Sequence, residues 1–220
     1  MTARSRDIRR PRVRIPPPTS TASGGSRDGK RLSDSAPSNR AMVDDYTFAI
    51  EQERKEKDHW FREGHDSPIP HEVRHGFKGL SYYPIDPSHR FRVTLTLYPK
   101  QEVLKFPTSK GTEQEYFRHG YFEFPVEGKT LRLNGYRPVR AHGSREFLFV
   151  PFRDATNNKE TYGAGRYLDL EPDPSGVYDL DFNKAYNPYC AYSDEYVCPL
   201  PPPENWLPVP VRAGEKTWRP

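Results

Sequence analysis

Residues 90–98 read RFRVTLTLY, and the alternation in that stretch decides the fold. Phe91, Val93, Leu95 and Leu97 fall on one face of an extended chain, with Arg90, Arg92, Thr94 and Thr96 on the other. A period of two is the pattern of a strand with one buried face, whereas a helix would scatter these apolar groups around its axis. Toward the C-terminus, further strands are predicted at 101–106, 114–125, 129–134, 145–152, 161–170 and 177–182. Pro107, Gly111, Gly128, Gly135, Pro138, Gly143, Pro172 and Gly176 punctuate them. Short strands at this spacing predict a mainly β (α+β) domain, an antiparallel barrel or sandwich in which the sheet closes on itself. No helix-length segment separates them, which argues against a parallel sheet with crossover helices.

Toward the N-terminus the period changes. YTFAIEQERKEKDHWFREG contains no Pro and no Gly before Gly64 and is dense in Glu, Lys and Arg. Those residues favour helix, and Asp44 and Asp45 suit a helix N-terminus. One helix is expected over 45–63, with Tyr46, Ile50, Lys57 and Phe61 on one face and the Lys57 methylenes laid on the core. The passage 65–87 is loop-rich, with room for a short helix. From 183 to 216 the chain is rich in Pro and aromatics, and an irregular strap wrapping the domain is predicted.

Charge is unevenly placed. Residues 1–41 carry ten Lys and Arg against three Asp and Glu and no aromatic residue, so the remainder is slightly acidic. Such a segment cannot bury enough surface to order itself, and a disordered basic tail is expected over 1–41, with a single globular domain over 42–220. Met42, opening MVDDYTF, offers a second candidate start. The folded part presents no basic excess, so no nucleic-acid partner is expected. FLFVPF at 147–152 is the longest apolar run, far short of the roughly 20 residues of a membrane span, and a soluble, cytoplasmic protein is expected.

Four motifs bear on chemistry. His71-Glu72-Val73-Arg74-His75 spells the zinc-protease pattern, which needs a helix to aim both imidazoles one way while the Glu activates water. Pro68, Pro70, Gly76 and Gly79 leave little room for that helix, and no third ligand is evident beyond Glu102. A metal is therefore not favoured, and His71, Glu72 and His75 are read first as a solvated turn. Cys190 and Cys198, with seven residues between them, have no His after His142 to complete a metal set. They are read as structural thiols, or as a disulfide contributing about 2.5 kcal/mol in an oxidising compartment. In FRDATNNKETYGAGRYLDL, Asp154 and Thr156 mark a turn in which Asn157 and Asn158 supply left-handed conformers. Arg153 and Arg166 there can clamp an anion, or Arg166 can pair with Asp154 or Asp169 to pin the sheet. PLPPPENWLPVP lacks a basic neighbour for a polyproline-helix ligand, and Trp206 and Leu207 favour burial instead.

The segments DATNNKETYGAGRYLDL and DLDFNKAYNPYCAYSDEYVCPLPPPENWLPVPVRAGEK, with SPIP and FKGLSYYP upstream, resemble the prokaryotic domain-of-unknown-function family DUF1684. The resemblance covers roughly 45–216 and matches around the turn before 71–75, but not at His71 or His75 themselves. It implies an autonomous domain in which Arg166, Asn183, Asn187, Cys190, Cys198, Pro199 and Asn205 belong to the shared motif, without assigning them a task. The function expected first is a β domain binding a small polar or anionic molecule, with Arg153, Asp154, Tyr162, Arg166, Asn183 and Asn187 lining its mouth. A metal-dependent hydrolase using His71, Glu72 and His75 is the alternative, and a structural or interaction protein using the strap is the third. No cofactor is specified by these residues.

Overall fold

RFRVTLTLY is not one strand but two, and the break at Leu95 sends them to different sheets. In a computed structural model that describes residues 39–140 and 147–219, β1 (Arg90–Thr94) pairs antiparallel with β8 (Val177–Asp181). β2 (Thr96–Leu97) pairs instead with β4 (Glu113–Val126). Leu95 turns the chain and donates its N–H to Gly176 O at 2.9 Å. β3 (Val103–Pro107) also pairs with β4, and β4 forms a long hairpin with β5 (Lys129–Pro138). β6 (Leu148–Phe152) and β7 (Arg166–Leu170) complete a sheet ordered β2-β4-β5-β6-β7.

The fold is therefore mainly β and antiparallel, with one helix near the N-terminus, but the sheets do not close into a barrel. β1 and β8 form a separate two-stranded sheet. Val93, Tyr178 and Leu180 from it share one core with Phe122, Phe124, Leu133, Val150 and Phe152 of the larger sheet. Each large side chain removed from water there contributes about 1.5–3 kcal/mol. β6 is buried along its length. Leu148, Val150 and Phe152 face that core, while Phe149 faces a second cluster with Phe106, Tyr116, Tyr136 and Tyr167. β4 serves both clusters because its register shifts between Arg118 and Gly120. The extra residue turns Phe122 and Phe124 to the face opposite Tyr116.

Several boundaries differ from expectation. The helix α1 runs Asn39–Glu63, so Asp44 and Asp45 lie inside it rather than at its start. The predicted tail before residue 39 lies outside the described residues, as do 145–146 of the strand predicted over 145–152. Residues 161–165 do not join β7, because Gly165 adopts φ +100° and sits so close to Phe152 O that a Cβ would approach it to 2.6 Å. The strap over 183–216 is irregular, with only short 3-10 turns. Its alternate residues Leu207, Val209, Val211 and Ala213 point into the main core. Trp206 departs from the expected burial at 51% exposed, capped by the Arg153 guanidinium 4.8 Å from its ring.

One strap residue repairs the sheet. Pro151 lies within β6 and has no N–H to give, and β5 and β6 pair only at Tyr136 and Phe149. The fully buried Asn205 amide fills the gap. It accepts from Asn134 N at 2.8 Å and donates to Asn134 O at 2.9 Å and Pro151 O at 2.7 Å. A side-chain amide thus stands where a ladder hydrogen bond is missing.

Candidate functional site

The six polar residues expected to line one mouth do not converge on one. Arg166 is wholly buried, as is the side chain of its ion-pair partner Asp154. Its Nη2 donates to Asp154 Oδ2 at 2.8 Å and to Val211 O at 2.8 Å. Nη1 donates to Ala213 O and Glu215 O. Asp154 Oδ1 in turn accepts from Val211 N at 3.2 Å and Thr156 N at 2.8 Å. The pair thus grips Val211 by both its N–H and its C=O. A charge taken this far from water must be satisfied by protein groups, and here the strap carbonyls supply them. Asp169, the other partner considered for Arg166, accepts from Tyr186 OH instead.

Asn183 performs a similar task elsewhere. It accepts from Asp86 N at 2.9 Å and donates to Asp86 O at 2.8 Å, fixing the turn that leads into β1. Asp86 then accepts from Ser88 N at 2.9 Å and faces His89 Nδ1 at 3.2 Å. Hydrogen bonds from Ser88, and then His89, hold the Asp86 carboxyl below the usual carboxylate range.

These two clamps flank a cavity of about 330 Å³. Ser88, His89 and Phe91 form one wall, and Pro210 and Val211 of the strap form another. Phe124, Val126 and Glu127 close it, with Phe182 at its base. Glu127 and Gly128 both have positive φ, 49° and 73°, the geometry of a two-residue hairpin turn. The size lies within the range of small-molecule sites, and the lining sets apolar side chains beside the polar Ser88, His89 and Glu127. A wider depression of about 420 Å³ lies beside α1, at Tyr46, Arg90, Asp179 and Lys184. Its cations are already engaged, Arg90 with Asp179 at 2.6 Å and Lys184 with Glu53 at 2.8 Å. None of the six expected residues lines either cavity.

The others have protein partners too. Arg153 stacks on Trp206. Asn187 donates to Lys216 O at 2.8 Å, and its N–H donates to Glu215 Oε2 at 2.8 Å. The buried Glu215 also accepts from Tyr192 OH at 2.6 Å and from Lys57, so the charged end of Lys57, not only its stem, docks α1 on the strap. Tyr162 donates to Cys190 O at 3.3 Å and lies 3.7 Å from Cys190 Sγ.

The H-E-x-x-H spelling falls on a 3-10 turn, His71–Gly76, in which no residue is buried. At three residues per turn, positions four apart do not share a face. The two imidazoles lie 6.1 Å apart, nearly perpendicular. Arg74 explains the turn: it donates to Ile69 O, Gly64 O and Ser67 O, tying the loop together. Among the described residues no group of three or more His, Cys, Asp or Glu is placed to hold a metal. No described helix is long and apolar enough to cross a membrane.

Cys190 and Cys198 are both free thiols, the first half-buried and the second buried. Cys198 Sγ accepts from Cys190 N at 3.3 Å, which sets the two cysteines side by side. The neighbouring Cys198 thiol, and after it Tyr162 and Ser109, lower the Cys190 thiol below its ordinary value against the opposing effect of burial. The same contact and burial raise Cys198.

His89 and its cavity drew no attention in the sequence, because Ser88, His89 and Glu127 form no spaced motif. The available signal was the Asp86-Pro87-Ser88-His89 turn opening an amphipathic strand.

The model of a family described as "Protein of unknown function (DUF1684)" matches residues 75–216. An uncharacterized protein of Haloarcula marismortui, with a solution NMR structure, is 42% identical with a TM-score of 0.62, over 80% of this chain and 97% of that one. None of the curated proteins matches the chain.

Proposed function

The chain belongs to the DUF1684 family of proteins of unknown function, and from that premise we propose that it is a binding module for a small molecule with an apolar body and a hydrogen-bond-donating polar head. The observation that carries this is the cavity between His89 and Val211, two of whose walls are each held by buried clamps. Asp154 and Arg166 hold the Val211 backbone, and Asn183 holds Asp86 behind His89. Sites that bind with specificity need walls fixed before the ligand arrives. Three of the six residues expected to touch a ligand therefore act as positioning residues.

The rim favours a donor over an anion. Asp86 Oδ2 lies 3.2 Å from His89 Nδ1, and the imidazole tautomer that donates to it from Nδ1 presents Nε2 as an acceptor. Glu127 adds a carboxylate to the same lining. Phe91 and Phe124, with Phe182 beneath, suit a ring or short aliphatic body. The anionic version of the expectation has no free cation here to support it. The hydrolase reading rests on a spelling whose two imidazoles do not share a face.

Calorimetric titration with benzylamine, benzyl alcohol and benzoate tests the proposal. Binding of the amine or alcohol above benzoate is expected, as is its loss in Val126→Trp, where the indole fills the space. Silence from all three probes, or unchanged binding by the filled variant, contradicts it.

A further inference from the structure

Away from that cavity, we propose that Cys190 and Cys198 form a thiol–disulfide exchange site that takes a low-molecular-weight disulfide as substrate. The two sulfurs belong to one hydrogen-bonded unit, with Cys198 Sγ 3.3 Å from Cys190 N. Their exposures differ in the way an exchange site requires. Cys190 is the accessible member, and Cys198 is 4% exposed behind it. Two hydroxyls attend the pair. Tyr162 OH reaches Cys190 Sγ at 3.7 Å, and Ser109 Oγ accepts from Cys198 N at 3.2 Å. The strap around Cys198 is anchored to the turn after β3, since Ser109 N donates to Cys198 O at 2.9 Å and Leu200 N to Pro107 O at 2.8 Å. The buried sulfur is thus held in place behind the more accessible one.

The chemistry follows from that arrangement. Donors that stabilise a thiolate at Cys190 increase the attacking species at neutral pH. Cys190 attacks one sulfur of R–S–S–R; that bond breaks, a Cys190–S–S–R bond forms, and RS⁻ leaves to take up the proton Cys190 released. Cys198 then attacks the Cys190 sulfur. A Cys190–Cys198 bond forms, the second RS⁻ leaves, and the Cys198 proton passes to it. Two thiols lose two electrons and one disulfide gains them, yielding two RSH. A thiol made less acidic by its neighbour Cys190 and by burial is the resolving partner, because it attacks only a sulfur already brought against it.

The full chain, reduced and desalted, is incubated with glutathione disulfide and followed by intact mass under native conditions. The wild type is expected to lose two hydrogens and release two equivalents of glutathione. Cys198→Ser is expected to stop with one glutathione attached at position 190, and Cys190→Ser to remain unmodified. The rate of first attack is expected to rise with pH through a midpoint below that of a free thiol, about 8.5, and Tyr162→Phe to move the midpoint upward. Near-ultraviolet circular dichroism checks the fold of each variant, and Cys198→Ala replaces the serine variant if that one is unfolded. A wild type that halts at the mixed disulfide, a Cys190→Ser chain that reacts as fast as wild type, or thiols that react only in denaturant would each overturn the proposal.

Discussion

Asp154 and Asp86 are both carboxylates set against a basic side chain, and their surroundings differ in every respect that matters. Asp154 and Arg166 have side chains with no exposure. Asp86 and His89 retain 48% and 28%. The buried pair spends its hydrogen bonds on the strap backbone, at Val211, Ala213 and Glu215. The outer pair leaves one imidazole nitrogen for something else. The contrast teaches that charge buried and fully partnered is architecture, while charge half-partnered beside an apolar hollow is a candidate site.

That contrast breaks first at its buried half. Arg166→Leu strands the Asp154 carboxylate and frees three strap carbonyls, and a loss of about 3–5 kcal/mol in urea unfolding is expected. Adding Asp154→Leu should return part of the loss, since removing both partners is far cheaper than removing one. A single variant within 1 kcal/mol of wild type would show that the pair is not what closes the strap. Asn205→Ala comes next, at about 2–4 kcal/mol, because it unpairs groups of Asn134 and Pro151 inside the sheet.

The outer half gives smaller effects on stability and larger ones on binding. Asn183→Ala should cost about 1–3 kcal/mol by releasing the Asp86 backbone, and should weaken benzylamine binding several-fold by loosening the His89 wall. Equal affinity would separate Asn183 from the site. Asp86→Asn is expected to cost less than about 1 kcal/mol at neutral pH, because its carboxylate is half in water. The folded carboxyl sits below its ordinary value, so its stabilisation is present above the unfolded pKa of about 3.9 and lost as pH falls through the folded one. The acid limb of a pH–stability curve should therefore flatten slightly in Asp86→Asn, and at higher pH the two curves should run parallel with the variant lower by that same amount.

Much of the fold was legible because alternation is a local signal. RFRVTLTLY, the β4–β5 hairpin and the strap each announce themselves in composition or period. What local pattern cannot carry is partnership. Leu95 divides one apparent strand between two sheets, and only the positions of β8 and β4 reveal it. Gly165 looked like strand interior, yet the nearness of Phe152 O demands a left-handed bend there. The candidate residues do not form the one mouth expected of them; Asp154, Arg166 and Asn183 bond the backbone at Val211 and Asp86 instead. Their roles were not legible, because a residue that touches a ligand and one that positions the wall beside it have the same polarity in a sequence. His89 shows the reverse: an ordinary residue in a turn becomes the polar group of a cavity through Phe182 and Val211, both more than ninety positions away.

Backbone amide chemical shifts of the labelled full chain, titrated with benzylamine, test the central claim most directly. The account predicts movement at 88–91 and at Phe124, Val126, Glu127 and Val211, with Arg166, Asp154 and the Ala213–Glu215 amides still. Movement centred on Arg166 and Asp154, or none at His89 and Phe91, would contradict it.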